Sequence, residues 1–278
     1  MITALMEKVK RTVEKNGLIE RGDRIVLGVS GGPDSVCLLS VLNDLAAGWE
    51  LLLHVVHINH CLRGEDADGD QYYTEKLCRK FGIPCHVFRR DVNALSAELK
   101  ITTEEAGRQV RYEAFEKIRR EIGGRAGADT AGTKIAVAHN MNDQAETLLM
   151  RIIRGTGTEG LAGMEYSRDG IIIRPLLDVT REEIEEYCRE LNLEPRIDHS
   201  NMEPLYTRNR LRLELLPLIK NEYNENIIPV LSRLARIARE DKDYFQTQLE
   251  KIKGLVRHDT DSALYKIKRE EYAKLHPA

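Results

Sequence analysis

The sequence predicts an α/β protein: a doubly wound, Rossmann-like parallel sheet of five strands, followed by a helical C-terminal segment. Three observations carry that reading. Short runs that are apolar on both faces alternate with stretches of helical spacing, the pattern of a parallel sheet covered on both sides. A glycine turn, Ser30-Gly31-Gly32-Pro33-Asp34-Ser35, stands between the first such run and a helix. From about residue 211 onward the strand signal fades, and a long charged helical stretch takes over.

The elements follow in order. Residues 3–16 read as a helix that Gly17 ends. Residues 24–29 form the first strand, and helical spacing returns at 36–47. Residues 51–58 are the second strand, 66–81 a helix stopping at Gly82, and 84–89 the third strand. Thr102 and Glu105 have capping-box spacing and open a helix towards Ile122. Residues 134–138 are the fourth strand, 142–154 a helix and 170–174 the fifth strand. Thr180 and Glu183 make a second capping box, opening a helix to Leu191. Residues 226–253 read as one long charged helix, with an extended piece at 262–267. Gly123 to Gly132 is an insertion rich in glycine and alanine. The change of texture places a boundary near 215, dividing a domain at 1–215 from a helical region at 216–278.

At 278 residues, with 42% apolar and 31% charged residues, the chain has the make-up of a globular protein with one large or two ordinary domains. No apolar run approaches the ~18 residues of a membrane-spanning helix. Residues 1–8 lack a basic stretch followed by an apolar one, so a cytoplasmic protein with no membrane association is expected. The formal net charge of −3 excludes a uniformly basic nucleic-acid coat but leaves room for a local basic face. The five cysteines, Cys37, Cys61, Cys78, Cys85 and Cys188, include no C-x-x-C pair. A disulfide framework and a thiolate zinc site therefore lack support, and free thiols are expected.

In the turn, Gly31 and Gly32 remove side chains so that backbone N–H groups can approach an anion. The helix that follows adds unpaired donors and partial positive charge. Ser30 and Ser35 supply hydroxyls, and Asp34 suits magnesium better than phosphate. The G-K-[ST] ending of a Walker loop is missing. At the end of the second strand, Ile58 could lie against an adenine held by the strand edge. His57 and His60 read as packed or solvated rather than as metal ligands. Arg63 could meet phosphate, or pair with Glu65 or Asp66.

After the fourth strand, Asp143 and Glu146 stand i, i+3 on one face of a helix start. Helix capping accounts for Asp143 alone. Two carboxylates facing one cleft could instead bind an ammonium group or magnesium. Arg151 and Arg154 come further along this helix, before a glycine-rich loop at 155–164. That loop has no core pattern, which points to function.

The S-G-G-x-D-S string resembles the phosphate loop of the PP-loop superfamily, whose members cleave ATP to AMP and pyrophosphate. Residues 105–112, 138–164 and 198–212 resemble further signatures of the tRNA(Ile)-lysidine synthetases. Together the four blocks match in family order over roughly residues 20–215. Many members carry two histidines and two aspartates where this chain has His139-Asn140 and Asn142-Asp143, so the first carboxylate of that pair is absent.

The resemblance implies an adenine nucleotide α-hydrolase-like fold and an ATP-dependent carbon–nitrogen ligase. ATP would adenylate O2 of the wobble cytidine in an isoleucine tRNA with a CAU anticodon. The ε-amine of free L-lysine would then attack C2 and expel AMP, giving lysidine. On that reading Ser30, Gly31, Gly32, Pro33, Asp34, Ser35 and Ile58 bind ATP, and Asp34 holds Mg2+. Asp143 and Glu146 hold lysine, and one of them takes its proton. Arg111 stabilises the adenylate. Arg63, Arg151, Arg154, Arg208, Arg210 and Arg212 touch tRNA, the last three at phosphates or as a cap on the cleft.

The basic clusters are short, and family members continue past Ala278. The chain therefore reads as a catalytic core with a shortened tRNA grip. A naturally short member would compensate as a homodimer. A PP-loop tRNA thiolase is the rival enzyme. It needs a catalytic cysteine pair or a cluster-binding set, for which Cys78 and Cys85, seven apart, are a poor match. A non-catalytic ATP-binding module is the other rival, and it would have no use for the acid pair.

Overall fold

The computed structural model describes residues 2–62, 64–123, 132–196, 207–253, 257–259 and 264–272. The order is α1 (Ile2–Lys15), β1 (Arg24–Gly28), α2 (Pro33–Trp49), β2 (Leu52–Asn59), α3 (Glu65–Phe81) and β3 (Cys85–Arg89). Next come α4 (Val92–Leu99), α5 (Thr103–Gly123), β4 (Thr133–Ala136), α6 (Met141–Arg154), α7 (Thr158–Leu161), β5 (Ser167–Arg168), β6 (Ile172–Ile173) and α8 (Arg181–Glu190). Helix α9 (Thr207–Arg210) widens into a π turn at Leu211–Leu215 and continues as α10 (Leu216–Glu222). The long α11 (Ile227–Lys253), a hairpin of β7 (Arg257–Asp259) and β8 (Leu264–Lys266), and α12 (Arg269–Tyr272) follow. Residues 124–131 of the expected insertion, the stretch 198–206 of the last signature, Arg63 and the segment 273–278 lie outside the described residues.

Six strands form one sheet in the order β3-β2-β1-β4-β6-β5. Five are parallel, as the sequence predicts. The sixth, β5, adds a two-residue antiparallel edge through Ser167↔Ile173 and Arg168↔Ile172. The fifth parallel strand is shorter than predicted, because Gly170 at φ 66° belongs to the turn that joins it to β5.

Alternation along the strands sorts the core into two layers. Ile25, Leu27, Val55, Ala136 and Ile173 face one cluster, packed with α1, α2 and α8. Val26, Val56, Ile135 and Ile172 face the other, packed with Ala114, Phe115 and Ile118 of α5. Gly28 lets α5 approach: a Cβ there would lie 2.3 Å from Phe115 Cζ. A third cluster joins Ala145 and Leu148 of α6 to Leu216, Ile228, Leu231 and Ala235, so the C-terminal helices rest on α6. Chain order reverses between β1 and β4, which opens a crevice at the carboxyl ends of the strands. No described helix is long and apolar enough to cross a membrane.

Candidate active site

The phosphate turn leaves β1 and enters α2, with Pro33 at its first helical position, where a missing N–H costs nothing. Gly31 takes φ 92°, a conformation that side chains other than glycine rarely adopt. Hydroxyls close the turn: Ser35 Oγ donates to Gly32 O at 3.0 Å and accepts from Ser30 N–H at 3.2 Å. Asp34 is held in the first turn of α2 with its Oδ1 accepting from Asn140 Nδ2 at 2.8 Å. Burial, and then the nearby Asp143, push the Asp34 carboxyl up to about 6. Arg181, Asn140 and Arg212 pull the other way without prevailing.

Asn140 also begins the second half of the site. Its Oδ1 accepts from Asp143 N–H at 3.0 Å, while Asp143 Oδ2 accepts from Asn140 N–H at 3.0 Å. This capping box uses one oxygen of Asp143 and leaves Oδ1 for the cleft. Glu146, one turn on, is 1% exposed. Two guanidiniums reach these acids from α9 and the π turn that follows it. Arg208 donates from Nε to Glu146 Oε2 at 2.7 Å and from Nη2 to Asp143 Oδ1 at 2.9 Å. Arg212 donates from Nε to Glu146 Oε1 at 2.5 Å and from Nη2 to Asp143 Oδ1 at 3.1 Å. Burial alone would lower the pKa of both arginines, but the two carboxylates outweigh it and hold both raised. The π turn carries Arg212, and such turns are frequent at functional sites.

Hydrogen bonds through Asn140 thus link the turn to the acid pair at the point where strand order reverses. The profile of a family described as the PP-loop domain matches residues 1–219. The chain belongs to the PP-loop family. A tRNA(Ile)-lysidine synthase from Clostridium perfringens is 46% identical over 247 residues, 89% of this chain and 51% of that protein. One from Clostridioides difficile is 43% identical over 274 residues, 99% of this chain and 58% of that protein. The chain therefore spans about half the length of the curated relatives it matches. Among solved structures, a U34-tRNA thiolase from Methanococcus maripaludis gives a TM-score of 0.60 at 20% identity, over 85% of this chain and 80% of that one. That is a likeness of fold.

The other residues singled out in this PP-loop protein are scattered. Ile58 is half-buried on β2 and packs against the core layer of α5. Arg111 is exposed and lies within electrostatic reach of His139. Arg151 donates to Gly160 O and Gly163 O, both at 2.9 Å, so it braces its own glycine loop. Arg154 is exposed, and Arg210 sits 3.5 Å from Glu214. His57 is buried, with Nδ1 at 2.9 Å from Val29 O.

Cys78 and Cys85, poorly matched by spacing, do meet. A hydrogen bond between their thiols raises Cys78, as burial does, and lowers Cys85 against the opposing effect of burial. They stand where α3 ends and β3 begins, at the opposite end of the sheet from the turn. Among the described residues, no group of three or more His, Cys, Asp or Glu side chains could hold a metal ion.

Sequence reasoning did not mark Asn140, Arg174 or Arg181 as functional. Asn140 does stand in the position of an N-cap residue, which is a readable signal. Arg174 follows β6 directly and is 7% exposed. Its Nε donates to His139 Nδ1 at 3.3 Å. Burial holds the His139 ring well below its ordinary pKa, helped by Arg174, Arg208 and Arg111 and opposed by Asp143.

Proposed function

We propose that this PP-loop protein makes lysidine: it joins free L-lysine to C2 of the wobble cytidine in an isoleucine tRNA with a CAU anticodon. The observation that carries the reading is the link Asp34–Asn140–Asp143, which sets a phosphate turn beside a buried acid pair. A simple nucleotide binder has no use for that pair. The relatives' names support the same reaction.

In the first step the cytidine O2 attacks the α-phosphorus of ATP and pyrophosphate leaves. The turn holds the pyrophosphate side with its N–H groups and hydroxyls. Asp34 would hold Mg2+ together with phosphate oxygens, as magnesium sites with one protein carboxylate do. Its environment fits: a buried carboxylate beside Asp143 gains from a cation. Bound there, the ion would neutralise charge on the leaving pyrophosphate. In the second step the nitrogen lone pair of the lysine ε-amine forms the bond to C2. The C2–O2 bond breaks and AMP departs with that oxygen. Asp143 and Glu146 hold the ammonium, and one takes the proton the amine must lose before it attacks. The lysine takes over these oxygens from a guanidinium.

Residues 1–215 would be the catalytic domain and 216–278 the start of a tRNA-binding region, in a cytoplasmic enzyme. Incubation with ATP, Mg2+, tRNA and labelled lysine tests the reading. Label in RNA with stoichiometric AMP is expected. ADP, or RNA without label, would sink it.

A further inference from the structure

We infer that Arg108, Arg168 and Arg174, gathered at Tyr112, hold the RNA backbone beside the cleft, with a phosphodiester oxyanion on Arg174. The inference deepens the reading above and rests on it. The arginines expected to meet RNA are largely engaged elsewhere. Arg208 and Arg212 lie on the acid pair, Arg151 on loop carbonyls and Arg210 near Glu214. Arg119 and Arg120 both donate to Glu116 at 2.7 Å.

The cluster at Tyr112 differs. Arg174 is 7% exposed, yet among the described residues no carboxylate lies within ion-pair distance of it. Its partners are neutral: Glu165 O, 2.6 Å from Nη1, and His139 Nδ1. A buried guanidinium without a counter-charge is costly, and an arriving anion removes that cost. A guanidinium can only donate, so His139 Nδ1 accepts and the ring's proton sits on Nε2.

The positive charge continues outward. Arg108 and Arg168 lie over the Tyr112 ring, 5.1 and 5.2 Å from guanidinium carbon to ring centroid. Both are exposed, and among the described residues the one carboxylate within ion-pair distance of Arg168 is Asp169 at 4.0 Å. A single small anion would need Arg174 alone. A line of guanidiniums with an aromatic ring, running from the surface to a buried cation at a strand end, suits an unpaired RNA strand. Such strands offer phosphates at intervals and bases that stack on rings and guanidinium planes.

The test uses the 278-residue chain and a labelled RNA hairpin with a CAU loop, titrated across salt with ATP binding measured in parallel. The exposed pair Arg108→Gln and Arg168→Gln should fold as before, weaken RNA binding roughly tenfold and flatten the log–log salt slope by about 1.4, about 0.7 per lost single-strand phosphate contact. ATP binding should not change. Arg174→Gln should weaken RNA binding and Arg174→Lys should restore part of it, at unchanged ATP affinity.

Equal RNA affinity and slope in the double variant would overturn the inference. So would loss of ATP affinity alone in Arg174→Gln, which points to a nucleotide phosphate, or a raised KM for lysine alone, which points to its carboxylate. If the wild-type chain transfers no lysine while the double variant loses RNA affinity, the lysidine reading falls and the arginine site stands. If lysine is transferred and the variants bind RNA normally, the reverse holds. A wild-type chain that does not bind the hairpin refutes the arginine site.

Discussion

The two corners of the cleft are built from different lengths of chain. The phosphate turn closes within Ser30 to Ser35, through its own hydroxyls and backbone. The acid corner draws Asp143 and Glu146 against Arg208 and Arg212, which lie 62 to 69 residues further along. A turn held by its backbone can lose a functional side chain and keep its shape. A corner held by charges from distant segments uses the same side chains for function and for the fold. Substitutions at the two corners should therefore separate chemistry from stability in one place and mix them in the other.

The largest effect is expected at the turn. Asp34→Ala removes the carboxylate proposed to hold magnesium, while the serine hydrogen bonds remain. AMP formation should fall by about 10²–10³-fold, the usual cost of losing one group that faces developing charge. Removing the disfavoured ionisation and losing the Asn140 hydrogen bond act in opposite directions, so the Tm should stay within a few degrees of wild type. AMP release at an undiminished rate, followed by chromatography, would show that the turn has been misread.

At the acid corner the same kind of change should cost stability. Glu146→Gln leaves Arg208 and Arg212 with Asp143 alone in a site where Glu146 is 1% exposed. Breaking a buried pair costs about 3–5 kcal/mol, and about 3 is expected here because both guanidiniums keep contact with water. For a chain of this size that lowers Tm by about 6–12 °C. A calorimetric Tm within a degree or two of wild type would show that the four charges do not brace the fold.

A third substitution reverses the sign. Asp34 is pushed up to about 6 from its usual 3.8, chiefly by burial, so the fold prefers its protonated form. That preference is fully present below pH ~4 and is lost as pH rises through about 6. Asp34→Asn keeps an acceptor for the Asn140 amide and removes the ionisation. In magnesium-free buffer at pH 7 it should stabilise the protein by about 2–3 kcal/mol, falling to near zero at pH 4. Denaturant midpoints at the two pH values decide. A destabilised variant at pH 7 would mean that the ionised carboxylate is favoured by the fold after all.

The contrast also explains what could be read from the sequence. The five parallel strands are apolar on both faces, and the phosphate turn is contiguous, so both were legible. Thr102 and Thr180 with their glutamates at the third position announced two helix starts, and both capping boxes form. The edge strand β5 is two residues long and pairs antiparallel, too short to show alternation. Helix α4 has little apolar period and starts because Asp91 accepts from Ala94 N–H at 3.0 Å. Asp143 and Glu146 were visible as a pair, but nothing local says that Arg208 and Arg212 neutralise them. Arg174 closed a predicted strand, and only its burial beside His139 separates it from an ordinary arginine at a strand end.

The smallest expected effect tests whether the acid corner is shared between the protein and its substrate. If lysine takes its place on Asp143 and Glu146 from a guanidinium, then Arg212 competes with substrate. Arg212→Gln leaves Glu146 paired with Arg208 and frees Glu146 Oε1. A charge-assisted hydrogen bond contributes about 1.5–3 kcal/mol, and the released guanidinium regains water in the wild type, so the net gain lies at or below the lower end. The apparent KM for lysine should fall by up to about tenfold. The dependence on ATP should change much less, because Arg212 donates to the acid pair and reaches Asp34 of the turn only through the weakest of the charges acting on it. Lysine titrations at saturating ATP and tRNA measure this. A KM that rises instead would make Arg212 a partner of lysine, for instance at its carboxylate, and would mean that the acid corner accepts its ammonium without giving up a guanidinium.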